Sequence, residues 1–356
     1  MTSKQQNRGL VKKGKNNAAV VNLPYPKLRD DYILVKTIAV ALNPADWQDL
    51  EEQDLKPGSA PLLIGCDFSG TVEAIGARVS KELKIGDRVM GCVHGTNVNN
   101  PEDGAFAQHI TAKGDLTMLI PPNLTFTAAA TLPSGLATAA LALYRHLALP
   151  MLPATVAGSP GPWILIYGGS SASGSIAIQF AKLSGLRVVT TCSPRNFDFV
   201  RGLGADAVFD YRDPDCTQQI RNLTSDTLTL VLDTIATPST ARISTAAMSS
   251  RDGGIYCNLM GVASPRDDVK AVSFLGYTGL GEPYTFLGEE WPVVPEDYEL
   301  VKKVLALSEG LLREGRVRPH PAAVRGGGLE GVLVGLGELR MGVSGVKLVF
   351  VVGGEE

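Results

Sequence analysis

A glycine- and serine-rich segment, GGSSASG at residues 168–174, is the first candidate for chemistry in this sequence. It follows the apolar run WILIY and precedes a helical pattern, which predicts a turn from a strand into a helix. The N–H groups at a helix N-terminus bind phosphate, and glycine lets the phosphate approach because it has no Cβ. The spacing is not G-x-G-x-x-G, so a turn without a ligand is the alternative. Its place in the first strand-helix unit of its domain favours a diphosphate site.

The next apolar run ends in TTCSPRN, at Thr190–Asn196, and carries no acid there. Sites that prefer NAD place Asp or Glu at this point to accept from the ribose 2′-hydroxyl. Ser193, Arg195 and Asn196 can instead donate to a 2′-phosphate, although Arg195 is also explained as a surface arginine. Tyr211 ends the following run and is placed to meet the adenosine, or else is a rim aromatic. NADPH is therefore predicted over NADH.

Both segments need a parallel sheet to position them. After a stretch rich in Pro, Ala, Gly and Ser at 150–161, apolar runs such as WILIY, RVVTTC and LTLVLDTI alternate with helical patterns. Nearly continuous apolar strands between helices predict a parallel sheet that is covered on both faces. The sequence therefore predicts an α/β fold with a doubly wound domain over residues 151–285.

The other residues predict a second, β-rich domain. Short strand patterns separated by Gly, Pro and Asp, at 32–42, 68–76 and 87–93, indicate a barrel or sandwich over residues 1–150. The tail, 286–356, carries two helical patterns and the strand KLVFVV without extending the alternation. We therefore expect the tail to complete the first domain.

Composition excludes several classes of protein. Lys and Arg number 33 against 36 Asp and Glu, so no nucleic-acid partner is expected. The N-terminus has no apolar signal core. The apolar stretch Ala128–Leu149 is broken by Pro133 and Gly135, which predicts a buried helix pair rather than a membrane span. The five cysteines are scattered, which fits small core residues. A soluble, cytoplasmic protein is expected.

The order of motifs resembles the medium-chain dehydrogenase/reductases that have a GroES-like domain. These motifs cover nearly the whole chain: ALNPADW (41–47), GCDFSGTVEAIG (65–76), KIGDRVMG (84–91), GAFAQH (104–109), AAATLPSGLATAALAL (128–143), GGSSASGSIAIQFAKLSG (168–185), GADAVFDYRDPD (204–215) and VSGVKLVF (343–350). Within that superfamily, YGGSSAS, TCSPRNFD, VFDYRDP and GYTGLGEP are most similar to fungal trans-acting enoyl reductases of polyketide biosynthesis, of the lovastatin type. The resemblance implies a GroES-like β-barrel catalytic domain beside a Rossmann NADPH domain.

Zinc-dependent relatives differ from this chain at each ligand position. They carry Cys at the position of Asn43, His-Glu at Cys66–Asp67, and a four-cysteine lobe near His94–Gly104. Cys66 has no second Cys or His at ligand spacing, whereas catalytic zinc needs about three protein ligands and structural zinc about four. We therefore expect no metal, and alcohol oxidation becomes the less favoured chemistry.

The resemblance also implies the site residues. The cofactor site comprises Ala45, Asp46, Trp47, Gln48, Gly168, Gly169, Ser170, Ser171, Ala172, Ser173, Ser193, Pro194, Arg195, Asn196, Tyr211, Leu259, Met260, Gly276, Tyr277, Thr278, Gly279, Leu280, Val343 and Ser344. The substrate site comprises Thr138, Ala139, Ala140, Leu141, Ala142, Leu143, Tyr144 and Arg145, and helix core is the alternative for Thr138–Leu143.

The implied reaction is hydride delivery to the β-carbon of an α,β-unsaturated thioester. Charge then develops on the thioester oxygen, where a donor is needed, and Thr138 is the catalytic candidate. The α-carbon takes a proton, with water as one source. Related enzymes often carry Lys at the position of Gln48, which keeps an N–H donor without the charge. A weakened enzyme, an altered substrate and a position that never needed charge are all open.

The implied partner is a polyketide synthase, including a hybrid with a peptide synthetase, which presents the enoyl thioester on its acyl carrier domain. A basic rim around Arg145, Arg195 or Arg266 would favour this partner, because carrier domains are acidic. Two alternatives stay open: an NADPH-dependent quinone or enone reductase acting on free small molecules, and a non-catalytic NADPH-binding protein. The glycines and the proline in 274–292 make a poor pairing edge, which predicts a monomer.

Overall fold

The computed structural model describes residues 6–52, 54–56, 58–151 and 161–353, which form two compact units. The first unit combines Met1–Ser134 with Tyr277–Glu356, and the second is Gly135–Gly276. The boundaries expected from the sequence were at residues 150 and 285. Most of the predicted linker, 152–160, lies outside the described residues.

The N-terminal part of the first unit is rich in strands. Its strands are β1 (Gln6–Gly14), β2 (Asn17–Pro24), β3 (Tyr32–Ala41), β4 (Leu62–Leu63), β5 (Asp67–Ile75), β6 (Arg88–Cys92), β7 (His109–Lys113) and β8 (Met118–Leu119). Its helices are α1 (Pro44–Glu52), α2 (Phe126–Ala129) and the start of α3 (Pro133–Ala139).

The second unit alternates strands and helices. Its strands are β9 (Trp163–Tyr167), β10 (Arg187–Thr191), β11 (Ala207–Phe209), β12 (Leu230–Asp233), β13 (Gly254–Asn258) and β14 (Val269–Ser273). Its helices are the π-helical segment Ala140–His146, α4 (Ala172–Leu183), α5 (Phe197–Gly202), α6 (Cys216–Leu223) and α7 (Pro238–Ala247). All strands are parallel in the order β11-β10-β9-β12-β13-β14, which is the dinucleotide-binding order.

The edge of this sheet corrects one expectation. The edge strand is β14, and it follows β13 without a helix between them. The pairing edge was expected within 274–292, but most of that segment belongs to the first unit. The sequence of β14, VKAVS, is short and mostly exposed, so its pattern gives a weak strand signal. The monomer stays a prediction.

The tail completes the sheet of the first unit. It carries β15 (Tyr284–Phe286), β16 (Glu289–Trp291), α8 (Pro295–Arg313), β17 (Ala322–Arg325), α9 (Gly328–Met341) and β18 (Lys347–Val351). The larger sheet runs β17-β18-β3-β5-β6-β8, with β7 also paired to β3, and a smaller sheet runs β2-β1-β4. Together with the parallel sheet of the second unit, this confirms the predicted fold class.

Each unit has its own apolar core. Val40, Phe68, Phe106 and Phe350 are buried in the first, where Phe350 of the last strand packs with residues of the barrel. Leu165, Val189, Val231 and Tyr256 are buried in the second. One helical stretch, Phe126–His146, is long and apolar enough to cross a membrane, but 83% of its most apolar window is buried. Burial of this kind is typical of a core helix.

Candidate cofactor and substrate sites

The GGSSASG loop has the geometry of a phosphate-binding turn. Gly168 has φ +79°, a conformation that favours glycine. A Cβ on Gly174 would lie 2.3 Å from the Gly168 carbonyl oxygen, and a Cβ on Gly169 would lie 2.1 Å from Thr190 Oγ1. Helix α4 begins within the loop, so its first N–H groups are available to an anion. The loop therefore fits the diphosphate of a dinucleotide.

The serines of the loop have different roles. Ser171 Oγ accepts from Gly174 N at 3.0 Å and lies 2.9 Å from Thr234 Oγ1, so Ser171 caps helix α4. Thr234 Oγ1 in turn donates to the Tyr167 carbonyl at 2.9 Å. Ser170, Ala172 and Ser173 are half-buried. Ser170 and Ser173 are thus better placed than Ser171 to donate to a ligand.

The end of β10 lies beside this loop. Asn196 Nδ2 donates to Ser170 Oγ at 3.1 Å, which joins two segments that the sequence assigned to one cofactor site. Ser193 is half-buried and Pro194 is exposed at the start of a short 3₁₀ helix. Arg195 is exposed, and it forms no ion pair with any residue that the structure describes. Its guanidinium is therefore available to an anion.

Tyr211 lies in the turn after β11 rather than in the strand. The side chain is 37% exposed, and its ring centroid is 6.2 Å from that of Tyr167 at the end of β9. An exposed aromatic next to two strand ends can stack on a base.

Asp233 is a site-shaping residue that sequence reasoning missed. It ends β12 and is fully buried. Its carboxylate accepts from Thr240 Oγ1 at 2.6 Å and Tyr256 Oη at 2.8 Å, and from the backbone N–H groups of Ile235 and Ala236. These bonds fix the loop after β12, beside Gly168. An acid at the end of the apolar run LTLVLD was the available signal.

The loop after β13 carries further predicted cofactor residues. Leu259 is half-buried, Met260 is 53% exposed, and Gly276 is exposed at the end of the unit. The buried Asn258 holds this loop, because its Oδ1 accepts from the N–H groups of Met260 and Val262.

The predicted substrate segment divides into buried and accessible residues. Ala139, Ala140, Leu141, Ala142 and Leu143 are 0% exposed, which supports the alternative of helix core. Thr138 and Tyr144 are half-buried and Arg145 is exposed. The helix changes to π geometry at Ala140, and π segments are frequent at functional sites.

In the first unit, α1 carries the remaining N-terminal candidates. Asp46 is buried, its Oδ2 accepts from Asn43 N at 2.7 Å, and burial raises the pKa of this carboxyl to about 7. Ala45, Trp47 and Gln48 are half-buried. Within the described ranges the Gln48 amide has no hydrogen-bond partner, so its N–H donors are unspent.

The other candidates in the first unit come from the C-terminal third of the chain. Tyr277 and Leu280 are half-buried, and Gly279 is buried. Thr278 Oγ1 donates to Asp297 Oδ2 at 2.6 Å, which anchors this segment to α8. Val343 and Ser344 are half-buried and directly precede β18.

The residues at the zinc-ligand positions do not fit zinc. Asn43 Nδ2 donates to Asp67 Oδ2 at 2.9 Å, and Ser134 donates to Asp67 Oδ1 through its N–H at 2.8 Å and its hydroxyl at 2.7 Å. Lys347 forms a buried ion pair with the same carboxylate. Both oxygens of Asp67 are therefore bonded, and an ammonium supplies the positive charge.

The thiol beside this carboxylate is also a poor ligand. Burial raises the pKa of Cys66, and its Sγ lies 3.9 Å from Tyr277 Oη. The region where zinc-dependent relatives carry the four-cysteine lobe instead presents His94, whose ring stacks on that of Tyr277 at 3.6 Å. Among the described residues no group of three or more His, Cys, Asp or Glu side chains is arranged to hold a metal.

This fold, with its glycine-rich turn at the start of α4, is that of the medium-chain dehydrogenase/reductases with a GroES-like domain. Residues 29–122 match the alcohol dehydrogenase GroES-like domain, and residues 172–273 match the family described as zinc-binding dehydrogenase. The second match covers α4 to β14 and none of the zinc-ligand positions.

Curated relatives narrow the class. Trans-enoyl reductase ACTTS2 of Alternaria alternata is 44% identical over 345 residues, covering 96% of this chain and 98% of the relative. Trans-enoyl reductase resD of Aspergillus sclerotiorum is 43% identical over 350 residues, covering 94% and 96%. The chain belongs to the fungal trans-enoyl reductase family, and it is an oxidoreductase.

Solved structures support the fold. An alcohol dehydrogenase-like protein of Rhizobium etli, described as putatively zinc-dependent, has a TM-score of 0.80 at 24% identity, covering 99% of this chain and 100% of its own. The CurK enoyl reductase has a TM-score of 0.74 at 19% identity, covering 98% and 99%. The fold implies a nicotinamide dinucleotide as cofactor.

Proposed function

We propose that this protein is an NADPH-dependent, trans-acting enoyl reductase of secondary metabolism. Its substrate is a polyketide whose α,β-unsaturated thioester is carried on the acyl carrier domain of a polyketide synthase, including a hybrid with a peptide synthetase. The names of the relatives support the activity. When bound, NADPH supplies the hydride that reduces the double bond.

The observation that carries the choice of NADPH is the end of β10. It offers the exposed Arg195, which forms no ion pair among the described residues, and the half-buried Ser193, and it carries no carboxylate that would repel a phosphate. Two acids near this end of the strand are already paired: Asp198 pairs with Arg201, and Asp210, which follows the neighbouring strand β11, pairs with Arg212 at 2.9 Å. Arginine binds phosphate with several N–H donors at once, so Arg195 is the proposed anchor of the 2′-phosphate.

Replacing Arg195 by Ala tests this assignment. We expect KM for NADPH to rise about tenfold or more, because a charge-assisted contact contributes about 1.5–3 kcal/mol. KM for NADH should change little. Steady-state kinetics with both cofactors measure the two values. Arg201→Ala is the matched control, since that exposed arginine pairs with Asp198. Equal rises for NADPH and NADH in R195A would refute the assignment.

The reaction itself is tested by the acceptor. Purified protein is mixed with NADPH and either a 2-enoyl pantetheine thioester or a free quinone, and absorbance of the reduced cofactor is followed. Oxidation with the thioester is expected. Oxidation with the quinone alone would favour a reductase of free small molecules. Tight NADPH binding without oxidation by either acceptor would favour the non-catalytic alternative.

The structure removes Arg266 from the basic rim that was considered for an acidic carrier domain. The guanidinium of Arg266 is engaged within the second unit: it pairs with Asp268, and it donates to the carbonyls of Thr245 at 2.8 Å and Ser249 at 2.7 Å. Arg195 is exposed and keeps the proposal for an acidic carrier domain.

A further inference from the structure

A groove that lies wholly within the first unit has no role in the sites described above. Its volume of about 500 Å³ is in the range of small-molecule sites. Three segments form its walls: the loop after α1, the loop after β6 and the turn between β15 and β16. Asn99 Oδ1 accepts from Thr285 N at 3.0 Å, which joins two of these walls.

Apolar side chains from all three segments line the groove. Val98 is 50% exposed and Leu287 is 55% exposed, while Leu55 and Phe286 are half-buried. Large exposed aliphatic residues are ordinary when they are scattered. Their convergence on one concave surface instead marks a site for an apolar ligand.

The polar groups at the inner end of the groove are satisfied by one another. Lys12 Nζ donates to the carbonyl of Asp49, and the Asp49 carboxylate accepts from Thr96 Oγ1 at 2.7 Å. His94 is buried, and burial lowers its pKa to about 3, so the ring is neutral. The exposed charges along the lining are of both signs, Glu52 and Asp54 against Lys56. Two carboxylates against one ammonium leave no surplus of positive charge, so the groove does not favour an anion, and an uncharged chain can lie along its apolar side chains.

The turn that carries Leu287 has a strained backbone. Phe286 pairs with Glu289, which leaves Leu287 and Gly288 as a two-residue hairpin turn with φ of +51° and +82°. Turns with positive φ at both positions favour Asn-Gly, whereas a leucine with positive φ is strained. Strain of this kind is retained where the side chain has a function.

We propose that this groove binds the distal hydrocarbon end of the acyl chain, and that Leu287 and Val98 select long chains over short ones. The proposal rests on the proposed function, since the acyl chain is that of the enoyl thioester. An uncharged, flexible chain matches the volume of the groove, the apolar side chains from its three walls, and the bonds that Lys12, Asp49 and Thr96 form with one another.

The test compares chain lengths in Leu287→Asn. Activity is measured with NADPH and with crotonyl- and 2-decenoyl-pantetheine. We expect kcat/KM for the decenoyl thioester to fall about tenfold, because an apolar contact is lost, and kcat/KM for the crotonyl thioester to hold within about twofold. Because Asn suits the turn, Tm should not fall, which separates this result from misfolding.

Ile85→Asn is the matched control, because Ile85 is 73% exposed and also precedes a glycine with positive φ, outside the groove. It should leave both kcat/KM values unchanged. An unchanged ratio of decenoyl to crotonyl activity in L287N, or the same change in I85N, would overturn the proposal.

Binding of the saturated butyryl- and decanoyl-pantetheine thioesters gives a readout that needs no turnover. Calorimetry should show tighter binding of the decanoyl thioester to the unaltered protein, and loss of that preference in L287N. If no enoyl thioester is reduced but this preference is seen, the proposed function fails and the groove stands. Equal affinity of the unaltered protein for the butyryl and decanoyl thioesters would contradict the proposal that the groove binds the acyl chain.

Discussion

Thr138 is the residue that we propose as donor to the thioester oxygen. Threonine within a helix commonly donates to the carbonyl four residues earlier, but the Thr138 hydroxyl has no hydrogen-bond partner among the described residues. Its neighbours Ala137 and Ala139 are buried, while Thr138 is half-buried. A half-buried hydroxyl without a hydrogen-bond partner in the described part of the chain is suited to stabilise charge that develops on a thioester oxygen.

Replacing Thr138 by Val keeps the shape and removes this donor. We expect kcat to fall about 10²-fold, as for other donors to a developing oxyanion, with a smaller change in KM. Thr138→Ser should restore most of the activity because it restores the hydroxyl. Steady-state kinetics with an enoyl thioester measure both. An unaltered kcat in the valine variant would show that Thr138 is not a donor in the reaction.

Asp46 makes the stability of the protein depend on pH. Burial raises the pKa of its carboxyl to about 7, whereas an unfolded Asp titrates near 3.9. Between these values the folded state holds a proton that the unfolded state has lost, so this group's contribution to stability falls as pH rises from about 4 to 7. Asp46→Asn removes that loss.

The free energy of unfolding of D46N relative to the unaltered protein should therefore increase by up to about 1.4 kcal/mol per pH unit across this window, and level off above it. Urea unfolding at three pH values measures it. Asp198→Asn, at an exposed carboxyl, is the control and should show no such trend. A constant difference for D46N would contradict the assignment.

At the scale of single elements, the turn at 168–174 requires glycine at position 174. A Cβ on Gly174 would lie 2.3 Å from Gly168 O and 2.9 Å from Gly169 Cα, so α4 cannot accept a side chain there without moving the loop. Gly202, at the end of α5, has open space around its Cβ position. A side chain would therefore collide with the loop at Gly174, in the first turn of α4, but not at Gly202, the last residue of α5.

Gly174→Ala should destabilise the protein by about 1–3 kcal/mol and weaken NADPH binding, because overpacking displaces the loop. Gly202→Ala should be neutral or stabilise by up to about 1 kcal/mol. Thermal unfolding and cofactor titration measure the two effects. Equal behaviour of the variants would show that the turn is less tightly packed than its geometry indicates.

At the scale of the whole molecule, the C-terminal strand is tied to the barrel by a buried charge pair. Lys347 and Asp67 are 280 residues apart, and their side chains are 3% and 0% exposed. Lys347→Met leaves the Asp67 carboxylate without its cation, which should cost about 3–5 kcal/mol of unfolding free energy. D67N/K347M should recover part of this, because no unpaired charge is left.

The exposed pair Arg325–Glu338 provides the comparison, and Arg325→Met should cost no more than about 1 kcal/mol. Urea unfolding of the variants measures the differences. A similar small cost for K347M would mean that water reaches Asp67.

We also expect a monomer, because Lys270 is exposed on the edge strand β14 and opposes pairing. A mass of two chains by light scattering would contradict that.

The sequence by itself determined the parts that depend on local chemistry. Strand-helix alternation gave the parallel sheet, the glycines gave the turn at 168–174, and the absence of an acid after β10 gave the preference for NADPH that we propose. Each of these signals lies within a few neighbouring residues, where backbone geometry and side-chain type act directly. The edge strand β14 and the hairpin β15–β16 were missed, because short exposed strands have no apolar period.

Only the tertiary structure decided the features that join distant residues. It paired Lys347 with Asp67 and bonded Ser134 to the same carboxylate. It also made the Ser171 hydroxyl the N-cap of α4 and buried Ala139–Leu143. It also joined two walls of the groove through the hydrogen bond between Thr285 and Asn99, and brought Val98 and Leu287 into the same lining. The physical reason is that burial and partner depend on the path of the whole chain, which no local pattern of residues encodes.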